Sequence, residues 1–210
     1  VSATPPSGRQ PRGAPGASLG SPSIADALAA RKTARRICGA RDVASALQRM
    51  ADSIRADLAS TNPVVLAVMH GGVFTAVELS RRIGFPHEFD YVHVTRYAGG
   101  TKGGRVEWRV PPSERLAGRT VLVVDDVLDR GHTLRALSAE LRRIGVAEQR
   151  TAVLVVKRVA RARNRPTIDY AGIEVEDVYV FGCGMDYLGY WRGLPALYAL
   201  SDERTKPNGD

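Results

Sequence analysis

Cysteine is nearly absent from the chain: Cys38 and Cys183 are the only two in 210 residues. They stand far apart with no paired metal-ligand spacing, which argues against a disulfide framework or a zinc site and fits a reducing compartment. Long apolar runs are missing as well. The longest, Pro63 to Met69, falls far short of the roughly 18 residues a membrane span needs. The first residues hold no apolar signal-peptide core, so a cytoplasmic protein with no membrane partner is expected. An acidic excess is also lacking, because 30 Lys and Arg outnumber 22 Asp and Glu and leave a formal charge of +8. That balance suits an acidic partner, either nucleic acid or a small polyanion such as a phosphorylated sugar, and does not choose between them.

What is present suits one soluble domain: 44% of the residues are hydrophobic and 25% charged, enough for a sizeable core. Residues 1–23 are rich in Pro, Gly, Ser and Ala without a hydrophobic period, so they lack the apolar surface to offset ordering entropy and are expected to form a disordered tail. The remainder, 24–210, is expected to form a single domain. Val43, Leu47, Met50, Ile54 and Leu58 recur every three or four residues and predict a core helix ending before Asn62. After it, strand-like and helix-like segments alternate. Val64 to Met69, Phe89 to Val94, Arg105 to Val110, Thr120 to Val124, Ala152 to Val156 and Val178 to Phe181 read as strands. Val73 to Ile83 and the Leu134, Leu137, Leu141, Ile144 stripe read as helices, and Tyr97 to Gly104, with four glycines, as a mobile loop. This rhythm predicts an α/β fold with a mainly parallel sheet flanked by helices.

The chemistry gathers in "VLVVDDVLDRGHT", Val121 to Thr133, which sets three carboxylates, Asp125, Asp126 and Asp129, just beyond a buried strand. In parallel sheets ligands bind past the carboxyl ends of the strands, where loops enter helix N-termini. Gly131, His132 and Thr133 begin the next helix, so backbone N–H groups and the Thr133 hydroxyl can hold a phosphate against the positive end of the helix dipole. Asp125 and Asp126 then lie beside that phosphate as acceptors for hydroxyl donors, which describes a cradle for a ribose 5-phosphate. The lysine and spacing of a Walker loop are missing, which disfavours nucleoside triphosphate hydrolysis.

This stretch resembles the signature loop of the type I phosphoribosyltransferases, and Asp129 narrows the resemblance to their purine branch, the hypoxanthine-guanine phosphoribosyltransferases. The likeness runs along most of the chain from about residue 40. It implies the fold of that family: a mainly parallel twisted sheet flanked by helices, with a small hood at the base-binding region. It also implies the substrates, phosphoribosyl pyrophosphate and a 6-oxopurine base, with Mg2+ as the cofactor. Asp125 and Asp126 would bind the ribose hydroxyls, and Arg130, Gly131, His132 and Thr133 the 5-phosphate. Asp129 would be the catalytic group near N7 of the base.

Other segments extend the resemblance. "VMHGGVF", Val68 to Phe74, is similar to the family's pyrophosphate loop, which implies pyrophosphate contacts from His70 and Gly71 and a cis peptide at Met69 to His70. "VTRYAGG", Val94 to Gly100, resembles the start of the lid, with Arg96 and Tyr97 in that role. Lys157, in "VLVVKR", would read O6 of the purine. In "VYVFGCGMDYLGYWRGL", Tyr179 would stack on the base and Val180 would offer backbone hydrogen bonds to its edge. Asp186 would join Asp125 and Asp126 around the metal, and Arg192 would contact pyrophosphate. Tyr187, Tyr190 and Trp191 read equally well as core packing. The pattern departs from the family in four places: His70 and His132 stand where lysines are common, Arg130 replaces a small Thr, and Asp125 a longer Glu. The resemblance further implies a homodimer or homotetramer.

Two alternatives stay open. One is a xanthine-preferring or hypoxanthine-only transferase. The other is a nucleic-acid-binding regulator on the same fold, using the basic stretches Arg31 to Arg36 and Lys157 to Arg165. Asp129 and Lys157 speak against the regulator, which has no use for purine contacts.

Overall fold

The apolar runs form the centre of a six-stranded sheet in the computed structural model, which describes residues 23–96, 106–159 and 165–200. The first helix, α1 (Ile24–Thr33), begins at Ser23, whose side chain and Asp26 cap each other's backbone N–H groups. A short strand, β1 (Arg35–Cys38), leads into α2 (Ala40–Leu58), where Asp42 accepts from the Gly39 N–H at 2.9 Å. The expected stripe is the buried face of α2, with Val43, Leu47, Met50, Ile54 and Leu58 all withdrawn from solvent. Burying each such side chain contributes about 1.5–3 kcal/mol.

Then follow β2 (Val64–Met69), α3 (Gly72–Ile83), β3 (Glu88–Arg96), β4 (Val106–Val110), β5 (Thr120–Leu128), α4 (His132–Ile144), β6 (Glu148–Arg158) and β7 (Tyr170–Glu176). The chain closes with β8 (Val180–Phe181) and β9 (Leu197–Ala199). The large sheet has the order β4-β3-β2-β5-β6-β7. It is parallel from β3 to β7, with β4 antiparallel at one edge. Alternate residues of β2 and β5 face opposite layers. Val65, Ala67, Leu122 and Val124 pack against α2 and α3, while Val64, Leu66, Val121 and Val123 pack against α4. Because both faces are covered, these strands read as unbroken apolar runs.

Two expectations need correction. The strand expected to end at Val124 continues to Leu128, because its ladder with β6 runs on through Val127↔Val155 and Leu128↔Val156. Asp125 and Asp126 therefore lie within a strand. The segment Val178 to Phe181 contributes only two strand residues, and these belong to a separate antiparallel sheet of order β1-β9-β8. The sixth strand of the large sheet is instead β7, a segment for which the sequence reading assigns no element. The Tyr97 to Gly104 loop and residues 1–22 of the tail lie outside the described residues, while Ser23 belongs to the α1 cap.

Candidate active site

The carboxyl ends of β2, β5 and β6 lie side by side, and each delivers one part of the site. From β5 come Asp125 and Asp126, only 8% and 9% exposed. Local hydrogen bonds hold both: the Asp126 N–H donates to Asp125 Oδ1 at 2.9 Å, and the Val127 N–H to Asp126 Oδ1 at 2.8 Å. Burial, then the charge of Asp126, raises the Asp125 carboxyl well above the usual range. Burial raises Asp126 as well, less so because its hydrogen bond with Asp125 and the charge of Arg192 favour the anion. Among the described residues, neither carboxylate forms an ion pair.

Beyond β5 the chain turns through Gly131 at φ 75, and α4 starts. A β-carbon at Gly131 would be strained at this positive φ and would come within 2.4 Å of Pro166 Cδ. His132 Nδ1 lies 2.7 Å from an Arg135 guanidinium nitrogen. A guanidinium only donates, so Nδ1 accepts and a neutral His132 ring carries its proton on Nε2. From β6 comes Lys157, 13% exposed, whose Nζ lies 3.9 Å from Asp129 Oδ2. From β2 comes the peptide Met69 to His70, which is cis. The exposed His70 ring meets His93 edge-on at 4.5 Å between centroids.

The small sheet supplies the opposite wall. Tyr179 donates its hydroxyl to the Asp186 carbonyl at 2.9 Å and packs edge-on against Tyr187; burial pushes its phenol up to about 12. Leu200 N–H donates to Tyr179 O, while Val180 pairs with Ala199. This is the non-hydrogen-bonded position of an antiparallel ladder, so the Val180 N–H and C=O point away from β9. Asp186 Oδ1 pairs with Arg192 at 2.5 Å, its Oδ2 accepts from the Gly189 N–H at 2.6 Å, and Arg192 also donates to the Gly184 carbonyl at 2.7 Å.

A cavity of about 220 Å³ joins Asp125, Asp126, Asp129, Gly131, His132, Thr133, Lys157, Tyr179, Val180 and Asp186. Gly71 abuts it from behind: a β-carbon there would fall 1.6 Å from Asp126 Oδ2. Arg130 is exposed and does not line the cavity, and it directly precedes the Gly131 turn. Arg96 ends β3, with its backbone paired to Val106, and Tyr97 lies outside the described residues. The basic stretches considered for nucleic acid are partly engaged inside the protein. Arg31 stacks over Tyr198 at 3.9 Å and donates to its hydroxyl, and Arg158 pairs with Glu174 and Glu176.

Two further residues belong to this geometry. Gly184, at φ 105, lets its backbone approach the Gly71 carbonyl, where a β-carbon would come within 2.3 Å. Arg135 orients His132. The alternating glycines of "FGCGMD" were the available signal for the first. Arg135 lies three residues after His132, one turn along α4, which was the available signal for the second.

The family model described as a phosphoribosyl transferase domain matches residues 39–188. The hypoxanthine-guanine phosphoribosyltransferase of Lactococcus lactis subsp. lactis is 34% identical over 144 residues, 68% of this chain and 77% of that protein. The hypoxanthine-guanine-xanthine phosphoribosyltransferase of Tritrichomonas foetus is 29% identical over 161 residues, 77% of this chain and 88% of that protein. A solved hypoxanthine-guanine-xanthine phosphoribosyltransferase superposes with TM-score 0.68 at 26% identity, covering 81% of this chain and 96% of its own. The hypoxanthine phosphoribosyltransferase from Trypanosoma cruzi, in complex with the product IMP, shares the fold with TM-score 0.73 at 24% identity, covering 82% of this chain and 97% of its own.

Proposed function

This chain belongs to the phosphoribosyl transferase domain family, and on that premise we propose that it transfers a 5-phosphoribosyl group from phosphoribosyl pyrophosphate to N9 of hypoxanthine or guanine. The products are the nucleoside 5-monophosphate and pyrophosphate, a purine-salvage reaction. One ion pair carries the choice of base: the Lys157 ammonium beside Asp129 at the cavity. An ammonium has only donors to offer, so it favours a base with an oxygen at position 6 over adenine, whose amino group lacks that acceptor. Asp129 then takes the proton, or faces the positive charge, that develops at N7 as N9 attacks the sugar.

The remaining roles follow from donors and charge. Arg130 and Gly131 at the turn into α4, with His132 and Thr133, hold the 5-phosphate. Asp125 and Asp126 accept from the ribose hydroxyls and stabilise positive charge on the ring as the leaving group departs. His70, Gly71 and Arg192 receive pyrophosphate. Tyr179 lies against the base, and the outward N–H and C=O of Val180 meet its edge. Arg96 and Tyr97 begin a lid that excludes water from the cationic sugar.

The donor set fits Mg2+. Among the described residues the two buried carboxylates form no ion pair, and no group of three His, Cys, Asp or Glu forms a complete cage. Mg2+ is commonly held by one or two carboxylates together with water and substrate phosphates. Asp125 and Asp126 would hold it here, Asp186 would reach the ion or a water bound to it, and the ion would supply Lewis-acid neutralisation of the pyrophosphate charge. We extend the proposal to a single domain over residues 24–210, acting as a homodimer or homotetramer in the cytoplasm. The two free thiols, Cys38 and Cys183, suit that compartment.

The test is nucleotide formation from phosphoribosyl pyrophosphate with hypoxanthine, guanine, xanthine and adenine, with and without Mg2+. Turnover of 6-oxopurines that stops when the metal is chelated, with adenine inert, is the expected result. Turnover of adenine alone, or of no base, would overturn the assignment.

A further inference from the structure

The connection from β6 to β7 grips the acidic loop from behind. Arg165 donates from Nε to the Asp129 carbonyl at 2.9 Å and from a terminal guanidinium nitrogen to the Leu128 carbonyl at 2.6 Å. The next residue, Pro166, packs where a β-carbon of Gly131 would otherwise sit. Arg165 and Pro166 thus meet the loop at Leu128, Asp129 and Gly131. Arg165 sits in a run of arginines that sequence reasoning assigns to a basic surface, yet its guanidinium is partly buried and committed to two backbone oxygens.

From this contact we propose that Arg165 is a positioning residue for the 5-phosphate turn and for Asp129; the proposal rests on the transferase assignment above. In a trans peptide the carbonyl and the following N–H lie in one plane and point in opposite directions. Holding the Leu128 and Asp129 carbonyls on the outside of the loop therefore turns the Asp129 and Arg130 N–H groups to the other side. Two donors from one planar fork fix both peptide planes together, which a single ammonium cannot do. The cation also polarises these amides and strengthens their N–H groups as donors to an anion. Because Arg165 binds carbonyl oxygens, it offsets the negative charge of the loop while leaving the Asp125, Asp126 and Asp129 carboxylates free for substrate.

The experiment compares wild type, Arg165→Ala, Arg165→Lys and, as a control, Arg158→Ala, whose guanidinium pairs with Glu174 and Glu176 on β7. Steady-state constants for phosphoribosyl pyrophosphate and for hypoxanthine are measured together with calorimetric affinity for phosphoribosyl pyrophosphate and the thermal midpoint. Arg165→Ala is expected to weaken phosphoribosyl pyrophosphate about tenfold or more in both KM and Kd, with a smaller change in the hypoxanthine KM. Arg165→Lys should recover part of that loss, and Arg158→Ala should match wild type. Unchanged phosphoribosyl pyrophosphate constants in Arg165→Ala, with wild type active, would overturn the positioning role alone. An equal loss in every variant constant, tracking a fall in the folded fraction, would reduce Arg165 to a structural brace. A wild type that neither binds phosphoribosyl pyrophosphate nor turns over any base would instead overturn the underlying assignment.

Discussion

The site contains two kinds of carboxylate. Asp129 and Asp186 each have a cation from the protein, Lys157 at 3.9 Å and Arg192 at 2.5 Å, and each is about a third exposed. Asp125 and Asp126 are almost fully buried, adjacent, and have no ion pair among the described residues, and burial raises both carboxyls. A folded chain does not ordinarily bury two neighbouring acids without a compensating charge, because desolvating them costs free energy that only a partner returns. The difference shows where the protein supplies its own neutralisation and where it leaves that to what binds.

Neutralising Asp129, the member of the paired set proposed to act on the base, should give the largest effect on activity. Asp129→Asn is expected to lower kcat/KM for hypoxanthine by about 10²–10⁴-fold. Its thermal midpoint should not rise, since the substitution strands Lys157 in a partly buried position. A variant that retained wild-type turnover would remove Asp129 from the chemistry.

The unpaired set should behave in the opposite way on stability. Asp125→Asn is expected to cost roughly a hundredfold in kcat/KM and yet to raise the melting temperature at pH 7. The sign follows from linkage: a carboxyl whose folded-state pKa lies above its unfolded value contributes stability that is fully present below the unfolded pKa and is lost as pH rises through the folded one. The advantage of Asp125→Asn should therefore shrink as the solution is acidified toward pH 4. Melting curves from pH 4 to 8 decide it, and a variant less stable than wild type at pH 7 would show that the buried acids find neutralisation within the protein.

A smaller change is expected when the Asp186 partner is removed. Arg192→Ala should raise the KM for phosphoribosyl pyrophosphate about tenfold, the scale of a hydrogen-bonded charge lost from an anion site, with kcat less affected. The smallest effect belongs to Tyr179→Phe, which removes one hydroxyl-to-carbonyl bond at Asp186 and leaves the ring in place. A change in kcat/KM of at most about fivefold is expected, the scale of a neutral hydrogen bond. A larger loss would mean that the hydroxyl itself holds the Asp186 segment in register.

Much of this was legible in the residues because the signals are local. The parallel strands appear as apolar runs buried on both faces, α2 as a stripe of period 3.6, and the acidic strand end with the glycine turn that follows as one contiguous stretch from Val121 to Thr133. The small sheet was not legible. Its strands β1, β8 and β9 have two to four residues each and no period to detect, and β1 pairs with β9 across most of the chain, Arg35 opposite Ala199. The same limit concealed Gly184, whose need for glycine exists only because Gly71 approaches it, and Arg165, whose partners lie 36 and 37 residues earlier. By itself the sequence determined the chemistry available, since residue types and short spacings decide which donors, acceptors and charges stand near one strand end. Tertiary structure alone decided which charges are paired, which backbones touch and which side chains reach the cavity, because burial and long-range contact belong to the packed chain rather than to any segment of it.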